Sequence, residues 1–347
     1  MNFKRLNRVM KKKKDVLILG IESSCDDTSV AVVRNGREVL SNVISSQIDI
    51  HKIYGGVVPE IASRNHTENI AYCYNEALRQ AGVTIDDIDA IAVTYGAGLL
   101  GALIVGVSFA KALSYTSGKP LYAVNHIEGH ISANFIAHEK LEPPFLCLVV
   151  SGGHTALFEM TSHTDKKLIA TTSDDAIGEA FDKVARECGL EYPGGPNVQR
   201  MAEGGSTNIK FVKNDYHNLK SFSYSGLKTA VINYIHNKKQ KGEEISVPDI
   251  CASFQDQATE QLAIKCEEEI KRSGYIKLIL AGGVSANLAL RKKLEERLEP
   301  MGVKVYYPPL KLCTDNAAMI ASQGYYNFIA RIEPATQELA PQSVIKL

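Results

Sequence analysis

The chain has 347 residues, more than one hydrophobic core ordinarily holds, so two domains are expected. Hydrophobic content of 45% and charged content of 22% are those of a globular protein, and 39 basic residues cancel 39 acidic ones, so overall charge singles out no polyanionic or membrane partner. Seven cysteines run from Cys25 to Cys313 without a C-x-x-C pair, which excludes a zinc ribbon or disulfide framework and points to a reducing, cytoplasmic compartment.

Residues 1–15 carry Lys4, Arg5, Arg8 and four consecutive lysines from Lys11, and read as a solvated, disordered basic tail. Glu22, Asp26 and Asp27 interrupt the apolar run that a signal peptide needs, and no stretch approaches about 20 apolar residues, so no membrane span is expected. Residues 16–21 form a buried-strand run. The polar turn Glu22-Ser23-Ser24-Cys25-Asp26-Asp27-Thr28 follows, then a strand over 29–33 and the hairpin turn Asn35-Gly36. Asp26 and Asp27 are candidate acid–base groups, or caps of that turn. Cys25 has no basic neighbour in sequence and reads as a small buried residue.

A helix over about 60–81, a strand over 88–93, a small-residue helix over 101–115 and a strand over 120–124 come next. The last of these runs into Asn125-His126-Ile127-Glu128-Gly129-His130. If that segment is helical, His126 and His130 share a face and can grip one metal ion. Glu128 then points about 200° around the helix, away from that metal, which argues against a zinc protease, whose H-E-x-x-H order puts its glutamate beside the metal-bound water. A pair of histidines needs a third ligand, and Cys313-Thr314-Asp315-Asn316 holds a candidate.

The strand–turn–strand pattern recurs about 125 residues on. Residues 145–150, Ser151-Gly152-Gly153-His154-Thr155 and residues 156–160 suggest an internal duplication whose turns expose amides to an anion. Asp175, Glu179 and Asp182 fall on roughly one helical face, able to hold ribose hydroxyls or simply solvated. Tyr192-Pro193-Gly194-Gly195-Pro196 is a rigid loop, fit to seat a sugar or base or only to turn the chain. Between Ser206 and Lys241 seven lysines meet one acid, Asp215, interleaved with Phe211, Tyr216, Phe222, Tyr224 and Tyr234, a composition suited to nucleic acid or to a solvated helix and loop. A strand over 277–281 enters Gly282-Gly283-Val284-Ser285-Ala286-Asn287 and then a helix with Leu290, Leu294 and Leu298 on one stripe, a nucleotide-cleft pattern. Strands alternating with helices imply an α/β protein.

Together, the motifs from Gly20-Ile21-Glu22-Ser23-Ser24-Cys25-Asp26-Asp27-Thr28 through Gly55-Gly56-Val57-Val58-Pro59-Glu60, Asn125 to His130, Ser151 to Thr155, Gly178-Glu179-Ala180-Phe181-Asp182-Lys183, Tyr192 to Pro196, Ser225-Gly226-Leu227-Lys228-Thr229, Ala281 to Asn287 and Cys313 to Asn316 resemble one family. It is the bacterial tRNA N6-adenosine threonylcarbamoyltransferases, once described as O-sialoglycoprotein endopeptidases, and the resemblance runs from about residue 16 to about residue 321. It implies a duplicated actin-like ATPase and sugar-kinase fold, with two domains around a central cleft. Residues 16–144 would form the first half and 145–347 the second, with the final helix packing back on the first. The implied activity moves a threonylcarbamoyl group from threonylcarbamoyl-adenylate to N6 of the adenosine 3′ of the anticodon, in tRNAs reading codons that begin with A. His126, His130 and Asp315 would bind one divalent metal, Fe2+ ahead of Zn2+. Val149, Val150, Ser151, Gly152, Gly153, Asp182, Gly195 and Asn287 would contact substrate. Implied partners are tRNA, a small paralogous subunit and an ATPase subunit. Asp27 stands where the family often has Glu, and Tyr224 where Phe is common. Rival readings are an ATPase or phosphotransferase of the same fold and a non-catalytic scaffold.

Overall fold

The computed structural model describes residues 15–213, 216–217 and 220–345. The expected disordered tail falls almost wholly outside them; Asp15 is described, and its Oδ1 accepts from Asn35 Nδ2 at 3.0 Å. The runs LILGIE and DTSVAVVR are buried nearly throughout, the pattern of strands covered on both faces. They form β1 (Leu17–Glu22) and β2 (Asp27–Arg34), and β3 (Glu38–Ser46) returns antiparallel to β2 through a turn in which Asn35 and Gly36 both adopt positive φ, 52° and 73°. β4 (Ala90–Gly96) and β5 (Leu121–Asn125) add in parallel on the other side of β1, giving the order β3-β2-β1-β4-β5.

Alternation along β1 decides what covers each face. Leu17, Leu19 and Ile21 join a core with Ile70, Cys73 and Ala77 of the helix Pro59–Ala81 and Val107 and Ala110 of the helix Leu100–Ser117. Ile18 and Gly20 face the other way, against the helix Ala317–Ile329: a Cβ on Gly20 would strike the Ala317 carbonyl and lie 2.7 Å from Ala321 N. Gly324 of that helix sits as closely on Ala92 and Ile18.

Among the described residues one helix, Leu100–Ser117, is long and apolar enough to cross a membrane, a length and composition not expected for any segment. Packing accounts for part of that apolarity, because Ala102, Leu103, Gly106, Val107 and Ala110 are buried and Gly106 abuts Ser23.

The second sheet repeats the first. β6 (Phe145–Val150), β7 (Thr155–Met160) and β8 (Lys166–Thr171) are successive antiparallel neighbours, while β9 (Lys277–Ala281) and β10 (Lys304–Tyr306) lie parallel on the far side of β6. The order β10-β9-β6-β7-β8 therefore has the connectivity of the first sheet, strand for strand. Its core holds Leu146, Leu148, Phe181, Phe254, Leu290, Leu294 and Leu298, the last three forming the stripe read from sequence.

The chain divides into two compact units. One holds the described residues up to Gln47, Pro59–Glu139 and those from Asp315 onward; the other holds Ile48–Val58 and Lys140–Thr314. A single cut between residues 144 and 145 does not describe this division. The last long helix lies on β1 and β4, and Ile48–Val58 belongs with the second sheet.

Candidate metal centre and glycine turns

β5 passes directly into the helix His126–Ala137, whose first turn is capped by Asn125 Oδ1 accepting from Ile127 N at 2.9 Å. Helical spacing puts the two imidazoles on one face, with ring centroids 4.5 Å apart at 77°. The helix is buried along most of its length because it lies against Ala317–Ile329: Ser132 Oγ donates to Gln323 Oε1 at 2.7 Å, and a Cβ on Gly129 would meet Ile320. Asp315 immediately precedes that second helix, which is capped by Asn316 and tied to β2 by Ala317 N donating to Ser29 Oγ at 2.9 Å. Asp315 Oδ1 thus lies 3.4 Å from His126 Nε2 and 3.3 Å from His130 Nε2, and one ligand atom from each residue falls within 4.8 Å of the others.

Metal–ligand bonds of about 2.1 Å separate neighbouring ligand atoms by about 3.0 Å at octahedral and about 3.4 Å at tetrahedral angles. The distances to Asp315 match. Among the described residues His130 Nδ1 is buried without a hydrogen-bond partner and Nε2 meets only Asp315, an expensive arrangement unless an ion completes it. The cluster can hold a metal ion, and Glu128 is not part of it. Two imidazoles and one carboxylate leave coordination positions open.

The charges are organised accordingly. Burial opposes a charged His126, but Asp315 and Glu22 outweigh it and hold its pKa well above the usual histidine range. Burial and the charge of His126 push His130 down. Burial alone would raise Asp315, yet His126 and His130 hold it well below the ordinary carboxylate value. Glu22, fully buried at the end of β1, was not singled out from sequence. Its Oε2 lies 3.1 Å from His126 Nδ1 and accepts from Thr94 Oγ1 at 2.6 Å, while Oε1 accepts from Ser24 N. The local signal was a carboxylate closing an otherwise apolar strand run.

The turn after β1 is braced by His66, also missed, whose Nδ1 meets Thr28 Oγ1 at 2.7 Å and whose Nε2 meets the Cys25 carbonyl at 2.9 Å. Asp26 offers its carbonyl to Gln47 N at 3.0 Å. Burial, with Asp315 and Asp26 nearby, raises Asp27 to about 7 despite a hydrogen bond from Ser46, and its Oδ1 is buried without a partner among the described residues. Burial and Asp26 lift the Cys25 thiol far above its usual range, which leaves it unreactive.

In the second unit β6 and β9 are parallel, with Val149 opposite Ala281, so the turns that follow them leave the same edge of the sheet. Such carboxyl ends are where α/β sheets bind ligands. Ser151 N donates to the His154 carbonyl at 2.8 Å, closing a turn whose exposed Gly152 and Gly153 have open space where side chains would project. Gly282, at φ 87°, passes so close to the Val150 carbonyl that a Cβ would lie 2.5 Å from it. Asn287 caps the helix Leu288–Leu298 through Leu290 N at 2.9 Å and donates to Gln255 Oε1 at 2.8 Å. Asp182 Oδ1 accepts from Gly194 N at 2.7 Å, pinning the start of the helix Gly194–Ala202 to the helix Ile177–Glu187. Gly195, next along, has open space around it. A cavity of about 560 Å³ is lined there by Lys52, Tyr54, Asp182, Arg186, Tyr192 and Gly194.

Two segments that the sequence leaves open are placed as follows. Asp175 and Glu179 are paired with lysines: Asp175 with Lys228 at 2.5 Å and Lys183 at 3.5 Å, Glu179 with Lys183 at 2.6 Å. Phe222 and Tyr224 are fully buried, Tyr216 nearly so, and Phe211 packs edge-on against Tyr234 at 5.6 Å, so these aromatics build the core rather than a stacking surface. Asp215 lies outside the described residues.

Two sheets of one connectivity, one carrying glycine turns at its parallel strand ends and the other a His–His–Asp cluster, define a two-domain α/β protein of the duplicated actin-like class. Solved structures agree on the fold. Full-length HypF in its phosphate- and nucleotide-bound form aligns at TM-score 0.61 and 16% identity, over 91% of this chain and 47% of that one. Component A of (R)-2-hydroxyglutaryl-CoA dehydratase from Acidaminococcus fermentans aligns at 0.55 and 13%, over 90% and 99%.

The family described as TsaD, tRNA N6-adenosine threonylcarbamoyltransferase, matches residues 38–322. Enzymes of that name from Clostridioides difficile (strain 630) and Clostridium perfringens (strain 13 / Type A) are 52% and 56% identical to this chain, over 91% and 90% of it and 94% and 93% of their own lengths. The chain belongs to the tRNA N6-adenosine threonylcarbamoyltransferase family.

Proposed function

We propose that this protein is a metal-dependent acyltransferase that moves a threonylcarbamoyl group from threonylcarbamoyl-adenylate to N6 of the adenosine 3′ of the anticodon in tRNA. The observation that carries the metal-dependent reading is the convergence of His126, His130 and Asp315 in a chain of this family. These three residues would hold one divalent ion, Fe2+ ahead of Zn2+, which supplies Lewis acidity toward the donor's carbonyl or phosphate oxygens.

The chain's own groups do the rest. In the transfer the N6–C bond forms, the bond from the carbamoyl carbon to the adenylate oxygen breaks, AMP leaves, and one proton departs from N6. The turn amides at Gly152 and Gly153 stabilise negative charge on the leaving adenylate. Val149, Val150, Ser151, Asp182, Gly195 and Asn287 seat and orient the nucleotide, because a weakly nucleophilic exocyclic amine depends on positioning. Asp27, raised to about 7 by burial and with one oxygen unpartnered among the described residues, is suited to take the N6 proton, with Asp26 beside it. The proposed setting is cytoplasmic, with a small paralogous subunit and an ATPase subunit as partners.

Incubating the metal-loaded protein and its partner subunits with synthetic threonylcarbamoyl-adenylate and unmodified tRNA, then resolving nucleosides by mass spectrometry, tests the reading. The modified adenosine is expected with loaded protein and not after chelation. No modified nucleoside, with steady phosphate release from ATP in the absence of tRNA, would replace it with a phosphotransferase.

A further inference from the structure

We infer that Glu22 is the positioning residue of the metal centre, fixing His126 in the tautomer whose Nε2 lone pair faces His130 and Asp315. The inference rests on the metal reading above and concerns a residue outside the ligand set. A fully buried carboxylate at the end of an apolar strand is costly unless its oxygens are satisfied. Here both are engaged: Oε1 accepts from Ser24 N, and Oε2 accepts from Thr94 Oγ1 at 2.6 Å while standing 3.1 Å from His126 Nδ1.

An ionised carboxylate only accepts, so the hydrogen bond to His126 requires the proton on Nδ1. Ser24 Oγ, 3.1 Å from the same nitrogen, can accept as well. Nε2 is then the nitrogen turned toward Asp315, 3.4 Å away, and the one that would give up its proton to a metal ion. Among the described residues His130 has no comparable orienter, since its Nδ1 is buried without a partner there. The ring that Glu22 holds is therefore the preorganised one. Two carboxylates, Glu22 and Asp315, also balance a dication, so the loaded centre is neutral in a buried site. Thr94, fully buried on β4, keeps Glu22 from rotating away.

Two variants separate this role from plain packing. Glu22→Gln retains size and one acceptor but presents an NH2 group either to Ser24 N or to His126 and Thr94. Thr94→Val leaves the carboxylate in place and removes its brace. Wild-type and variant proteins are stripped of metal and titrated with Zn2+ against a chromophoric chelator. Co2+ absorption is recorded on the same samples, with the metal-free melting curve alongside.

Glu22→Gln is expected to weaken Zn2+ binding about 10–100-fold, the range of an outer-shell orienter, and to alter the Co2+ spectrum. Thr94→Val should move both in the same direction. A folded Glu22→Gln protein with Zn2+ affinity within twofold of wild type and an unchanged Co2+ spectrum overturns the assignment and leaves the metal reading intact. If that variant does not fold, the same result with Thr94→Val overturns it. Wild-type protein that binds neither ion refutes the metal reading, and this role for Glu22 with it.

Discussion

Replacing Asp27 with Asn probes a carboxyl that the first unit holds protonated well above its ordinary range. Burial, with Asp315 and Asp26 adding repulsion, moves Asp27 from an ordinary 3.8 to about 7. Below 3.8 the folded and unfolded chains both carry the proton, and the group leaves stability unchanged. Above it the unfolded chain ionises while the folded one resists, so stability falls as pH rises. The fall ends once the folded carboxyl ionises near 7. About three pH decades at about 1.4 kcal/mol each set a ceiling of about 4 kcal/mol, reduced by the solvent this partly exposed group retains. Asp27→Asn keeps the size and an oxygen for Ser46 but cannot ionise. Denaturant unfolding of metal-free wild type and variant, compared at pH 5 and pH 8, isolates the effect because other titrations cancel in the difference. The variant's advantage should grow by about 2 kcal/mol between those pH values. A difference that does not change with pH would refute the reasoning.

Other substitutions test other parts of the structure. His130→Ala removes one of three proposed ligands and should weaken Zn2+ binding more than about 100-fold, beyond the range of an outer-shell change, with transfer activity lost in parallel; chelator titration and the nucleoside assay check both. Gly20→Ala should destabilise the protein by about 1–3 kcal/mol in denaturant unfolding, because its Cβ would meet the backbone of Ala317 and Ala321 rather than a yielding side chain. Tyr224→Phe should raise stability by about 1 kcal/mol, since the Tyr224 hydroxyl is buried without a partner among the described residues; a loss of stability in the melting curve would reveal a bond it does make.

Local pattern was enough to place most elements. Alternating and continuous apolar runs located β1, β2, β6 and β9, and the stripe Leu290, Leu294 and Leu298 is fully buried as its spacing required. The i, i+4 spacing of His126 and His130 likewise fixed their shared face, because helical geometry is local. The repeated strand–turn–strand pattern pointed to duplication, and both sheets carry one connectivity.

Packing alone decided the remainder. Asp315 meets the histidines because Gly20, Gly129 and Gly324 let the helix Ala317–Ile329 approach β1, β4 and the histidine helix, and no spacing along the chain encodes that convergence. Glu22 looked like an interruption of an apolar run; only the neighbouring strand and helix show that it faces His126 Nδ1. Phe222 and Tyr224 carried the composition of a nucleic-acid surface, yet burial assigned them to the core. Periodicity reports which way a side chain faces, whereas the partner it meets depends on contacts closed over a hundred residues of chain, and those are set by how whole elements fit.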